Sequence, residues 1–157
     1  MRNLKKILAL ALALVMTLSV MSVANAFTDD KDFNADYNEA ATVLTGLGVL
    51  KGYTDGSFQP KGEITRAEVA AIVYRVVTGD TSDKSVGIYA DYAKFDDVKN
   101  TAWYAGYVGF CANAELIKGY GNGKFGPMDN LSRAMLAQIL YNMEKKPAVE
   151  IPAEQFP

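Results

Sequence analysis

The chain writes one unit twice. The stretch "LKGYTDGSFQPKGEITRAEVAAIVYR", Leu50 to Arg75, returns as "IKGYGNGKFGPMDNLSRAMLAQILYN", Ile117 to Asn142. Sliding the sequence over itself by 67 positions superposes Lys51 on Lys118, Gly52 on Gly119, Tyr53 on Tyr120, Phe58 on Phe125, Pro60 on Pro127, Arg66 on Arg133 and Tyr74 on Tyr141. The chain therefore carries an internal repeat.

Both copies open on a Phe followed by acids, Phe27-Thr28-Asp29-Asp30 and Phe95-Asp96-Asp97-Val98, here at an offset of 68, so one residue is gained or lost before the first helix. In the first copy Ala40, Ala41, Val43, Leu44 and Leu47 recur at helical spacing, and Gly48 is placed for a left-handed cap. In the second the helix is expected over 102–114, with Tyr104, Val108, Cys111 and Ala112 on its apolar side. The loops that follow, Gly52 to Gly62 and Gly119 to Asn130, carry turn residues, with Tyr53, Phe58 and Phe125 available to pin them. Thr65 and Glu68 then spell a capping box, whereas Ser132 keeps its cap but has Met135 in place of the acid. The second helices end near Gly79 and before Pro147. This pattern predicts a mainly α chain of tandem helix–loop–helix units.

Outside the repeats, Arg2, Lys5 and Lys6 precede an uncharged apolar run, Ile7 to Val23, that ends in Ala24-Asn25-Ala26. Such a segment reads as a secretory signal peptide cut after Ala26, with an uncleaved anchor as the alternative. The expected organisation is a signal peptide at 1–26, a first repeat at 27–79, a polar linker at 80–94, a second repeat at 95–146 and a tail at 147–157. After cleavage 13 basic residues face 18 acidic ones, a net charge of −5. That balance disfavours nucleic acid and anionic membranes as partners. Cys111 stands alone, so no intramolecular disulfide can form and the residue reads as a small buried hydrophobe. No cysteine follows the cleavage region to carry a lipid, so no stable membrane insertion is expected once the signal is removed.

Both copies place an arginine at the first helical position, Arg66 and Arg133, where the helix dipole mildly disfavours a cation. One explanation is structural: Arg66 could pair with Glu63 or Asp55 and tie loop to helix. Another is functional, because free N–H groups at a helix start plus a guanidinium suit an anion. Trp103, Tyr53 and Tyr120 offer flat faces for a sugar ring, with Lys51 and Lys118 near them in sequence, although packing explains the same aromatics.

The strings "GYTDGSFQPKGEITRAE" and "FDDVKNTAWYAGYV…LIKGYGNGKFGP…LSRAM" resemble the S-layer homology domain of bacterial surface proteins, over nearly the whole mature chain. The resemblance implies helix–loop–helix repeats, typically three in a row, here packing as an incomplete pseudo-threefold helical bundle. It implies a secreted protein in the bacterial cell wall or S-layer, attached non-covalently through secondary cell-wall polysaccharide, often pyruvylated. Carried over residue by residue, the family's binding arginine falls on Arg66 and Arg133. A pyruvate ketal is a carboxylate on a sugar, and Gly52 and Gly119 would let the loop backbone approach it closely.

The first copy departs from the pattern, with Asp36 where Trp103 stands in the second and Asp30 where a valine is usual. Two repeats stand where three are usual, and Phe156-Pro157 falls where a third could open. Either a third repeat or self-association would complete the grooves. Without histidine and with one cysteine, His-based triads and Cys-rich or His-containing metal sites are out of reach. Adjacent acids such as Asp96 and Asp97 point in different directions, unlike a glycosidase pair, and "TDGS" lacks the ligand spacing of a calcium loop. No catalytic residue, cofactor or metal is therefore assigned. The alternatives to a polysaccharide anchor are a self-assembling envelope protein and the anchoring end of a larger surface enzyme or adhesin.

Overall fold

A computed structural model describes residues 27–32 and 34–145, without the side chains of Ala35 and Asp36. The segment expected to be a signal peptide, 1–26, and the tail at 147–157 lie outside the described residues. The described chain is mainly α: α1 spans Ala35–Gly46, α2 Arg66–Thr78, α3 Ala105–Asn113 and α4 Arg133–Lys145, with short 3-10 helices at Asp30–Asp32 and Val86–Tyr92. No strand forms among the described residues, where an isolated bridge between Thr65 and Asn130 is the sole β pairing. No described helix is long and apolar enough to cross a membrane.

The chain divides into two compact units at Pro60/Lys61, inside the first repeat's loop rather than at the 80–94 segment. The first unit is α1 and its flanks. Gly48 closes the helix with φ 73°, as its position predicts. The loop then folds back on the opening residues: the Thr28 N–H donates to the Gly56 carbonyl at 3.0 Å, and the Asp29 carboxylate accepts from the N–H groups of Phe58 and Gln59 at 2.9 and 2.7 Å. Phe27 packs on Phe58 with ring centres 4.9 Å apart. A Cβ on Gly52 would sit 2.6 Å from the Phe27 ring, so glycine is required there by this packing. Of the expected α1 stripe only Ala41 is buried; Val43, Leu44 and Leu47 remain exposed.

The second unit contains the core. α2 starts with the capping box that its sequence spells: the Thr65 N–H donates to Glu68 Oε2 at 2.7 Å and the Glu68 N–H to Thr65 Oγ1 at 3.3 Å. Gly79 closes it, donating to the Arg75 carbonyl. α2 packs on α3, where Tyr74 meets Phe110 and Tyr107 edge-on at 5.1 and 5.5 Å. α3 begins later than expected, yet it is buried on every side from Ala105 to Cys111, as a helix apolar all round must be. Cys111 is fully buried with its Sγ 3.5 Å from the Ala70 carbonyl, and burial pushes its thiol far up, so it behaves as the small hydrophobe expected.

The polar stretch from Asp80 to Lys94 is structured. Its 3-10 helix lies against α3 at Gly106 and Gly109, where an added Cβ would come within 2.2 Å of the Val86 carbonyl oxygen and 1.9 Å of that of Tyr89. Asp80 anchors the start, accepting from the Tyr74 hydroxyl, Ser82 Oγ and the Ser85 N–H at 2.8–2.9 Å. Arg75 and Asp83 pair through two bonds of 2.9 and 3.0 Å, with the guanidinium 5.4 Å over the Tyr107 ring.

Candidate ligand-binding site

The second repeat's loop is shaped by the device already seen in the first. Asp97 accepts from the N–H groups of Phe125 and Gly126 at 2.9 and 2.8 Å, and the Asp96 N–H donates to the Gly123 carbonyl. Burial opposes ionisation of Asp97, but those two backbone donors prevail and hold its carboxyl below the ordinary range. Phe125 is completely buried beside Phe95, ring centres 5.4 Å apart. Asp29 and Asp97, one acid from each opening, thus clamp the loops.

The clamped loop delivers its carbonyls to the start of α2. The N–H groups of Arg66 and Ala67 donate to the carbonyls of Asp129 and Pro127 at 2.9 and 3.0 Å. This helix end is therefore filled by the chain itself, and the expectation of free N–H groups for an anion does not hold at α2. Arg66 is only 3% exposed. Its Nε donates to the Phe125 carbonyl at 2.9 Å, its Nη2 to the Lys118 carbonyl at 2.8 Å, and its Nη1 lies 3.7 Å from Met135 Sδ. The guanidinium also stands over two rings, 4.7 Å from the centre of Tyr120 and 4.6 Å from that of Phe125.

Neither carboxylate expected to hold Arg66 does so. Asp55 accepts from the Ser57 N–H and hydroxyl within its own turn, and Glu63 accepts from the Asn130 side chain. Among the described residues no carboxylate pairs with Arg66. A guanidinium has five N–H donors, so among the described residues three contacts leave two unused, on a buried cation that no described carboxylate neutralises.

Arg66 edges a groove of about 490 Å³. Leu116, Ile117 and Ile139 form its apolar floor; Lys118, Tyr120, Met135, Gln138 and Asn142 supply the polar and polarisable walls. The Tyr120 hydroxyl donates to Asp129 at 2.9 Å and its ring remains partly open to solvent. On α4 the Gln138 amide donates to Asn142, and the Asn142 amide donates to the Leu116 carbonyl.

Of the residues singled out from sequence, Arg66, Lys118 and Tyr120 converge on this groove. Gly119 lies between the last two, where a Cβ would strike the Phe95 ring at 2.5 Å, so its lack of a side chain serves packing. Trp103 does not line the groove; it is 59% exposed and stands edge-on to Tyr104 and Tyr107. Arg133 is an exposed residue at the start of α4 and does not line the groove either. Lys51, Gly52 and Tyr53 belong to the first unit. Met135, Gln138 and Asn142 were not singled out from sequence, although their spacing of three and four on α4 marks one helix face. Among the described residues no cluster of His, Cys, Asp and Glu could hold a metal ion.

Residues 26–70 and 94–135, more than half of the chain, match the S-layer homology domain family. The chain belongs to the S-layer homology domain family. Its two matched segments coincide with the opening Phe, first helix, clamped loop and second-helix start of each repeat. Similar proteins include the cell surface protein of Thermoanaerobacter kivui, 32% identical over 145 residues, covering 89% of this chain and 19% of the relative. The middle cell wall protein of Brevibacillus brevis is 30% identical over 145 residues, covering 90% of this chain and 14% of the relative. The cellulosome-anchoring protein of Acetivibrio thermocellus is 34% identical over 97 residues, covering 62% of this chain and 21% of the relative. These S-layer homology repeats thus span about a fifth or less of the relatives they match. No solved structure matches the chain.

Proposed function

We propose that the chain is exported to the bacterial cell wall or S-layer and attaches there by non-covalent binding of secondary cell-wall polysaccharide. The groove edged by Arg66 takes an acidic substituent of that polymer, of the pyruvate ketal type. The role is binding rather than catalysis, either for this chain alone or for a larger surface protein of which these repeats are the anchoring end. The names of the relatives, which speak of cell surface, cell wall and cellulosome anchoring, support this reading.

One observation carries it: a guanidinium almost fully buried, bonded among the described residues only to neutral partners, facing an open groove. Burying a charge without a counter-ion is costly, and a carboxylate from solution bonded to the two unused donors would relieve that cost. The Tyr120 face beside it suits the apolar face of a sugar ring, the Gln138 and Asn142 amides suit hydroxyls, and Lys118 adds positive potential at the rim.

The test is co-sedimentation of the purified chain with Gram-positive cell-wall sacculi, before and after chemical stripping of the polysaccharide. Binding that disappears on stripping supports the anchor. Equal binding to stripped peptidoglycan, or no binding by folded protein, overturns it.

A further inference from the structure

The two repeats bury equivalent residues to very different extents. Val69, Val73 and Tyr74 of α2 are 5%, 4% and 1% exposed, packed in the core with α3. Their counterparts on α4 at the 67-residue offset, Leu136, Leu140 and Tyr141, are 43%, 56% and 52% exposed. The helix starts differ in the same sense. At α2 the Arg66 side chain and the first two N–H groups are filled by carbonyls of Lys118, Phe125, Pro127 and Asp129. At α4, among the described residues, neither the Arg133 side chain nor the N–H groups of Arg133 and Ala134 have such a partner. Ser132 Oγ accepts from the Met135 N–H at 3.2 Å, so the cap itself is made.

The complementary surface exists in the same chain. α2 packs against α3, in which Phe110 and Cys111 are buried, and the 67-residue offset maps these onto Val43 and Leu44 of α1, both exposed together with Leu47. The loop that fills the α2 start, 118–129, maps onto 51–62, with Tyr53, Phe58 and Pro60 in the places of Tyr120, Phe125 and Pro127. One junction is thus complete, and both halves of a second identical junction are present.

We propose that copies of this chain associate head to tail. The α4 face and the Arg133 helix start of one copy receive α1 and the 51–62 loop of another, as α2 receives α3 and the 118–129 loop. Arg133 takes the carbonyls of the other copy's Lys51 and Phe58 and stacks on its Tyr53 and Phe58 rings; Leu136, Leu140 and Tyr141 cover its Val43, Leu44 and Leu47. The occupant is a second copy because this chain encodes each half in the repeat that lacks the other. Such a contact joins two unlike surfaces, so it closes into a ring or extends, and no copy in a ring is left with an open face. This association stands independently of the polysaccharide reading.

Sedimentation equilibrium of the purified full chain, from micromolar to sub-millimolar concentration, tests it. The expected result is a concentration-dependent mass of two chains or more. Leu140→Asp on α4 and Leu47→Asp just after α1, both at exposed positions, should each give the mass of one chain while keeping the helical circular dichroism of the parent. Mixing the two variants should restore a complex of two chains, since each contributes the half that the other has lost. Arg133→Glu should behave as Leu140→Asp does, and should likewise pair with Leu47→Asp. A single-chain mass for the parent at every concentration overturns the proposal, as does association that survives in both variants or a mixture that stays monomeric.

Discussion

Arg66 and Phe125, 59 positions apart in sequence, are joined twice: Nε donates to the Phe125 carbonyl at 2.9 Å, and the guanidinium stands 4.6 Å from the centre of the Phe125 ring. A flat, forked cation reaches the Phe125 and Lys118 carbonyls from separate nitrogens while its face covers the ring, a geometry that a compact ammonium does not match. Arg66→Lys should therefore destabilise the fold by about 2 kcal/mol, read as a shift of the urea unfolding midpoint at constant slope. Arg133→Lys should fall within about 0.5 kcal/mol of the parent in dilute solution, because it lacks those partners. Equal effects of the two substitutions would contradict the difference between the repeats.

The loop clamp should be strong in the second repeat. Removing the Asp97 carboxylate leaves the Phe125 and Gly126 N–H groups without an acceptor, and Asp97→Ala should cost about 2–4 kcal/mol in chemical unfolding. Asp29→Ala, at the more open first-repeat clamp, should cost less. The reverse order would contradict the burial of the second loop.

Acid should weaken the second unit in a defined window. Burial alone would raise the Asp80 carboxyl, but bonds from the Ser85 N–H, the Ser82 hydroxyl and the Tyr74 hydroxyl outweigh it and hold the group down to about 2. Its ordinary value is 3.8, so the folded state is the stronger acid. The resulting stabilisation, about 2 kcal/mol, is fully present above the ordinary value and is lost as the pH falls from there toward 2. Unfolding midpoints measured across that window should drop for the parent and change much less for Asp80→Asn, which starts less stable.

The 3-10 segment should depend on two glycines. Gly109→Ala would bring a methyl group to within 1.9 Å of the Tyr89 carbonyl oxygen, backbone that can yield only by moving the segment. A loss of about 2–3 kcal/mol is expected in thermal or chemical unfolding. An unchanged midpoint would show that the 80–94 segment is not packed on α3.

Much of this arrangement is written locally and could be read from sequence. The capping box at Thr65 and Glu68, the helix-ending Gly48 and the burial of Cys111 each follow from residues near one another or from helical spacing. The partners of Arg66 could not be read that way, since they are backbone carbonyls contributed by a loop some 50 to 60 positions away, and every residue type has a carbonyl. The clamps were hidden for a related reason: Asp29 and Asp97 bond to backbone N–H groups about 30 residues on, while acids near a helix start suggest a cap. The stretch from Asp80 to Lys94 reads as a linker because it opens on a polar run, Asp80 to Ser85, and its packing relies on glycines in the helix it meets. The exposed stripe on α1 carries the strongest warning. Its periodicity marks an apolar face correctly but does not say what covers it.

The groove at Arg66 is tested most directly by calorimetric titration of the purified chain with a pyruvylated wall saccharide, alongside the same saccharide with its ketal removed. Met135→Glu provides the matched control, because Met135 Sδ lies 3.7 Å from Arg66 Nη1 and a carboxylate there would neutralise the cation from within. The predicted result is binding of the pyruvylated form, weakened by at least ~10-fold, about 1.4 kcal/mol, when the ketal is removed and by a similar factor in folded Met135→Glu. Equal affinity for both saccharides, or undiminished binding by the variant, would contradict the assignment of Arg66 as the anion-binding residue.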